Sequence, residues 1–128
     1  MMSAPAGKLL PVVLVVEDDP LLRILAVEVV EEAGFTAIEA SDADEAVALL
    51  ESRTDIALVF TDINMPGSMD GLKLAHAVRD RWPPIKILVV SGKQQLQSSD
   101  LPSNSCFVSK PYQASALVEE LRSIIGSS

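Results

Sequence analysis

Two rhythms alternate along the chain. Short β-branched and aliphatic runs occur at Val12–Val16, Ala57–Thr61 and Ile85–Val90, with weaker ones at Thr36–Ala40 and Cys106–Val108. Uninterrupted runs such as VVLVV and ALVF suit strands buried on both faces, as in a parallel sheet. Between them, apolar residues return at helical spacing. Leu21, Leu22, Ile24, Leu25, Val29 and Val30 form a broad stripe that ends at Ala33-Gly34, where glycine stops a helix. Ser41 or Asp42 can cap a second helix whose inner face carries Ala43, Ala46, Val47 and Leu50. Leu72, Ala75, Val78 and Arg79 mark a third, closed by Trp82-Pro83-Pro84. Leu117, Leu121, Ile124 and Ile125 mark the last. The stretch 93–101 (KQQLQSSDL) is a weak helix: it is polar, holds two serines and an aspartate, and runs into Pro102.

Counting that stretch, strand and helix alternate five times without any sequence repeat. Such alternation predicts a parallel sheet covered on both faces, with right-handed crossovers. The expected architecture is a flavodoxin-like three-layer α/β/α sandwich, a five-stranded parallel sheet in the order 2-1-3-4-5. In that order the working site lies beyond the carboxyl ends of the strands, where strands 1 and 3 meet. The residues expected at those ends are polar: Glu17-Asp18-Asp19 after the first strand, Asp62 after the third, Ser91-Gly92 after the fourth, Lys110-Pro111 after the fifth.

Size and charge narrow the picture. The 128 residues fit one folded domain, expected over 10–126 behind a flexible lead-in at 1–9. The chain is 48% hydrophobic and 22% charged, an ordinary globular balance. Its net charge of −8 offers no basic footprint for nucleic acid. The apolar run Leu9–Val16 is too short to span a membrane and is followed by three acids, so a cytoplasmic location is expected. One cysteine, Cys106, permits no internal disulfide and reads as a core residue; with His76 the single histidine, no Cys/His metal site can form.

Each strand-end group has a plain explanation by itself. Asp19 can cap the first helix, Asp62 can be a loop residue, Ser91-Gly92 a turn, and Lys110 a surface lysine. Their coincidence at one sheet edge is harder to explain that way. Carboxylates from adjacent strands repel and raise one another's pKa. A hard divalent cation such as Mg²⁺, which prefers oxygen ligands, relieves that repulsion. Lys110 adds positive charge and Ser91 a hydroxyl.

With these motifs in this order, the chain resembles the receiver domains of two-component response regulators, from about Leu10 to Ile125. The resemblance rests on VVEDDP (15–20), TDINMPGSMDG (61–71), VVSG (89–92) and SKPY (109–112), the second being the most specific. It implies a phosphorylation-dependent switch with Asp62 as phosphoacceptor. It implies that Asp18 binds Mg²⁺ directly, with Mn²⁺ as an alternative, that Glu17 acts through water, and that the Asn64 backbone carbonyl completes the protein's ligands. Ser91 and the Gly92 N–H would hold phosphoryl oxygens, Lys110 would pair with another, and the Lys110-Pro111 bond would be cis. Ser91 and Phe107 would act as the switch pair, reshaping the surface made by 93–101, the fifth strand and the last helix. The implied partners are a sensor histidine kinase or histidine phosphotransferase and a downstream protein, with neither nucleic acid nor membrane. Such a domain catalyses its own phosphorylation and dephosphorylation and is not a turnover enzyme.

The chain departs from the family's pattern in three places. MPGSMDG carries one residue more than the usual turn, 93–101 is a poor helix, and Phe107 lacks a hydroxyl. Rival readings are a non-phosphorylated interaction module of the same fold, a phosphohydrolase of the haloacid dehalogenase type, and a flavodoxin. The phosphohydrolase needs a second aspartate where Asn64 stands, and the flavodoxin a Ser/Thr-rich phosphate loop where Glu17-Asp18-Asp19 stand.

Overall fold

In the computed structural model of the chain, described over residues 10–63, 70–91 and 101–126, strands and helices alternate as their spacing predicts. In chain order they are β1 (Val12–Val16), α1 (Pro20–Glu32), β2 (Thr36–Ala40), α2 (Ala43–Ser52), β3 (Ile56–Asp62), α3 (Gly71–Arg81), β4 (Lys86–Ser91), β5 (Ser105–Ser109) and α4 (Ala114–Ile125). All neighbouring strands are parallel, in the order β2-β1-β3-β4-β5. This is the flavodoxin-like sandwich, with the chain reversing direction across the sheet between β1 and β3.

The strands bury both faces because successive side chains alternate sides. Val12, Leu14 and Val16 pack with Ala46 and Leu50 of α2 and Leu74 and Val78 of α3. Val13 and Val15 face the opposite layer, with Val29 and Val30 of α1 and Leu117 and Leu121 of α4. A register shift between Val12 and Val13 sets Leu58 opposite Val13 and Val59 opposite Leu14, keeping both layers in phase.

The helix starts follow local hydrogen-bond chemistry. Asp19 caps α1, accepting from the backbone N–H groups of Leu21 and Leu22. Of the two caps open for α2, Asp42 is used, accepting from the Glu45 N–H at 2.8 Å. Asp70 caps α3 through the Lys73 N–H.

The apolar stripe of α1 is broader than the face it buries: only Ala26, Val29 and Val30 are buried, and Leu21, Leu22, Ile24 and Leu25 are exposed. Ala26, Val29, Val30 and the following Ala33 share one face at spacings of three, four and seven, and that face alone meets the sheet. The residues at 21, 24 and 25 point to the other side of the helix, where no described element covers them. The weak stretch 93–101 falls, but for Leu101, outside the described residues, as does the lengthened turn at 65–69.

Candidate functional site

Topology delivers the strand-end residues to one rim. Glu17 follows β1, while Asp62 and Ser91 are the last residues of β3 and β4, so both side chains are held by strand geometry. All three are buried: Glu17 is 8% exposed, Asp62 7% and Ser91 1%. Backbone bonds lock the turns that follow. Glu17 N–H donates to the Ala40 carbonyl at 3.1 Å, Ile63 N–H to Val90 at 3.0 Å, and Lys110 N–H to Ser91 at 2.9 Å. The Lys110-Pro111 bond beside the last is cis.

Lys110 Nζ stands 2.5 Å from Asp62 Oδ2 and 3.9 Å from Glu17 Oε1. An ammonium thus lies between the two buried carboxylates. Burial acts to lower the pKa of Lys110, but its hydrogen bond to Asp62 and the charges of Asp62 and Glu17 outweigh this and hold it above its usual value. Glu17 is the strained partner. Burial pushes its carboxyl up to about 7, and the Asp62 charge and a hydrogen bond with Asp18 add to the rise. The Asp19 N–H, which donates to Glu17 Oε2 at 3.2 Å, and Lys110 oppose it.

The Ser91 hydroxyl is fully buried and has no hydrogen-bond partner among the described residues. An orphaned polar atom costs about 1–3 kcal/mol and calls for an explanation. Here it lies at the end of β4, on the strand next to the one that ends in Asp62, where a bound acceptor oxygen would satisfy it.

The structure therefore brings Glu17, Asp62, Ser91 and Lys110 together. Asp18 lies on the exposed side of the same loop, joined to the group through Glu17. Among the described residues no three acidic, histidine or cysteine side chains are gathered closely enough to hold a metal by themselves. The donor set still fits a hard cation: carboxylate oxygens at neighbouring strand ends, one of them with its ionised form disfavoured chiefly by burial. Asn64 and Gly92 lie outside the described residues. Phe107 is half-buried on β5, opposite Val89 of β4, and packs on the α2–α3 side of the sheet. Cys106 is half-buried, its thiol pKa raised by burial.

Two residues of the quoted motifs gain a role only in the structure. A Cβ on Gly71 would come within 1.8 Å of the Asp62 carbonyl oxygen, so α3 begins directly against the backbone of Asp62. The only trace of this in the sequence is a glycine right after the capping Asp70. Tyr112 lines the groove that holds Glu17, Asp62 and Lys110, and burial raises its pKa. Its signal was an aromatic two places after Lys110.

The response regulator receiver domain family matches residues 13–122. The chain belongs to that family. As a receiver, it is similar to the nitrogen assimilation regulatory protein NtrX of Azorhizobium caulinodans, 31% identical over 83% of this chain and 24% of that protein. It is also similar to the response regulator receiver protein CpdR of Brucella abortus, 30% identical over 88% of this chain and 95% of that one. A response regulator receiver protein of Pseudomonas putida superposes with a TM-score of 0.79 at 29% identity, covering 91% of this chain and 98% of its own. The receiver thus spans about a quarter of one curated relative and nearly all of the other. Receivers are phosphorylation-dependent switches of two-component signalling, not turnover enzymes, and none of the rival readings is favoured. No helix among the described residues is long and apolar enough to cross a membrane.

Proposed function

We propose that this receiver takes a phosphoryl group on Asp62 from a histidine kinase or histidine phosphotransferase and loses it again by hydrolysis at the same site. The observation that carries the reading is the Asp62 carboxylate at the tip of β3, met by Lys110 at 2.5 Å, with the unpartnered Ser91 hydroxyl on the adjacent strand.

An Asp62 oxygen attacks phosphorus as the bond to the donor's nitrogen breaks, and the nitrogen keeps that electron pair. Lys110 shifts from the carboxylate to a phosphoryl oxygen, and Ser91 donates its idle hydrogen bond to another. Both contacts offset charge on the equatorial oxygens of an in-line transfer. Mg²⁺, or Mn²⁺ in its place, supplies further positive charge at this rim when bound. Asp18 and Asp62 would hold it directly, Glu17 through water and Asn64 through its carbonyl, while the Gly92 N–H supports the phosphoryl group. Reversal needs only water attacking phosphorus, with the Asp62 carboxylate leaving. Movement of Ser91 toward the phosphoryl group, with Phe107 turning into the space beside it, carries the signal to the surface of β5 and α4. A cytoplasmic setting suits such a partner.

Incubation with Mg²⁺ and acetyl phosphate, read by intact mass, should add one phosphoryl group to the parent and none to Asp62→Asn. Equal labelling of both proteins removes Asp62 from the role.

A further inference from the structure

The last turn of α3 carries two basic residues, Arg79 and Arg81, where cations suit the negative end of a helix. Arg81 stays local: it pairs with Glu51 of α2 at 2.7 Å and lies over the Trp82 ring. Arg79 reaches further. It forms no ion pair among the described residues, and its guanidinium donates to three backbone carbonyls instead. One belongs to Pro83, just past the helix end. The other two belong to Ser103 and Asn104, at 2.7 and 3.1 Å, 24 and 25 residues further along the chain. A planar fork of five donors serves acceptors on several sides in one fixed geometry, which an ammonium on a flexible stem does not.

The place that Arg79 holds is the start of β5. Ser103 and Asn104 lead directly into that strand, and Asn104 has a φ of 58°, in the left-handed region that residues other than glycine rarely enter. Ser105 Oγ closes the same turn by donating to the Pro102 carbonyl at 2.6 Å. β5 has little else to fix it. It is an edge strand paired with β4 alone, and its residues are half-buried or exposed, whereas β4 is buried over 87–91. Lys110 is the next residue after β5, so its place beside Asp62 follows from where the strand begins. A slip of one residue along β4 would carry it about 3.3 Å and break the contact.

We propose that Arg79 is a positioning residue for phosphotransfer: it fixes the start of β5 and, through that strand, sets Lys110 against Asp62. The extended chain from Asn104 to Lys110 is about 20 Å long, so Arg79 touches neither the phosphoryl group nor its partners. Its effect travels along the strand. The other end of α3 is fixed as well, because Gly71 N–H donates to the Ile63 carbonyl at 2.9 Å, next to Asp62. Over its 11 residues, about 16 Å, α3 thus ties the strand that carries Asp62 to the strand that carries Lys110. Arg79 is the link at the β5 end. A role at the helix end alone leaves the bonds to Ser103 and Asn104 unexplained, since Arg81 stands in the same turn without them. The proposal rests on Asp62 being the phosphoacceptor and Lys110 its charge partner.

The rate of labelling by acetyl phosphate with Mg²⁺, read by intact mass, tests this, with circular dichroism at the same temperature to show that each variant is folded. Arg79→Gln should label about tenfold more slowly than the parent, the scale of loss that a small misplacement of a reacting group brings. Arg79→Lys, which can still bond one carbonyl, should fall between the two. Arg81→Gln removes a charge from the same turn without touching β5 and should label at the parental rate. The deciding measurement is a cycle with Lys110→Ala: if Arg79 works through Lys110, adding Arg79→Gln to Lys110→Ala slows labelling no further. Amide hydrogen exchange in β5 should quicken in Arg79→Gln, and exchange in β1 should stay as it is. The idea is overturned if both Arg79 variants label as the parent does, if Arg81→Gln slows labelling equally, if the two losses multiply in the double variant, or if β5 exchange is unchanged. Should Arg79→Gln be unfolded, Arg79→Lys takes its place in each comparison. If neither folds, Arg79 supports the whole domain rather than Lys110, and the idea falls. Failure of the phosphoacceptor reading looks different, because Asp62→Asn then labels as the parent does whatever stands at 79.

Discussion

Gly71 shows how a residue with no chemistry of its own governs one that has it. The first turn of α3 rests on the backbone of Asp62, and Gly71 N–H donates to the Ile63 carbonyl at 2.9 Å. A methyl group at 71 would lie 1.8 Å from the Asp62 oxygen and 2.8 Å from Ile63 Cα, backbone atoms that cannot step aside. Alanine gains up to about 1 kcal/mol in helix propensity over glycine. Overpacking against rigid backbone costs about 1–3 kcal/mol, and more when the clash is this deep. The clash wins. Gly71→Ala should lower stability by about 2 kcal/mol in urea unfolding and slow labelling by acetyl phosphate, because Asp62 is displaced from Lys110. Parental stability together with a parental labelling rate would contradict this. The acidic and basic site residues were legible in the sequence because each follows a run of apolar residues. The role of Gly71 was not, since spacing along a chain does not reveal which helix start touches which strand end.

At the scale of elements, α1 joins two roles that its sequence runs together. Glu17, Asp18 and Asp19 are consecutive acids, but Asp19 bonds to the N–H groups of Leu21 and Leu22 at 2.9 and 3.2 Å, which commits it to the helix. Losing such a cap costs about 1 kcal/mol. Asp19→Ala should therefore be less stable by about that amount in thermal unfolding, yet label with acetyl phosphate at close to the parental rate. A folded Asp19→Ala that fails to label would move the metal role proposed for Asp18 to its neighbour. The strands were readable because VVLVV and ALVF allow little else, and the βα alternation then limits the topology to very few choices. Which part of the α1 stripe is covered was not legible for a related reason. Helical periodicity finds apolar positions, but whether a neighbour exists to cover them is a property of the whole sheet. Leu21 and Ile24 look like Val29 and Val30 in sequence and differ only in what the fold sets beside them.

For the molecule as a whole, the site is a conflict that the topology creates. Placing β1 beside β3 buries Glu17 next to Asp62, and neither the backbone nor Lys110 fully compensates, so the Glu17 pKa rises from 4.5 to about 7. A carboxyl whose folded pKa lies above its unfolded one binds its proton more tightly in the folded state. Between those two values the folded state carries the extra proton, and stability falls as pH rises. The contribution of Glu17 is thus present below about 4.5 and lost by the time pH has passed about 7. A divalent cation at the rim reverses the preference, because it favours the ionised carboxyl. Mg²⁺ should then raise the melting temperature more at about pH 7.5 than at about pH 5.5, where the proton competes for the same charge. Glu17→Gln, which keeps the shape without the titration, should flatten the decline of stability with pH in the absence of metal. A Mg²⁺ effect independent of pH, or an unchanged pH profile in Glu17→Gln, would mean that the burial of Glu17 is compensated by other groups and that the rim holds no latent demand for a cation.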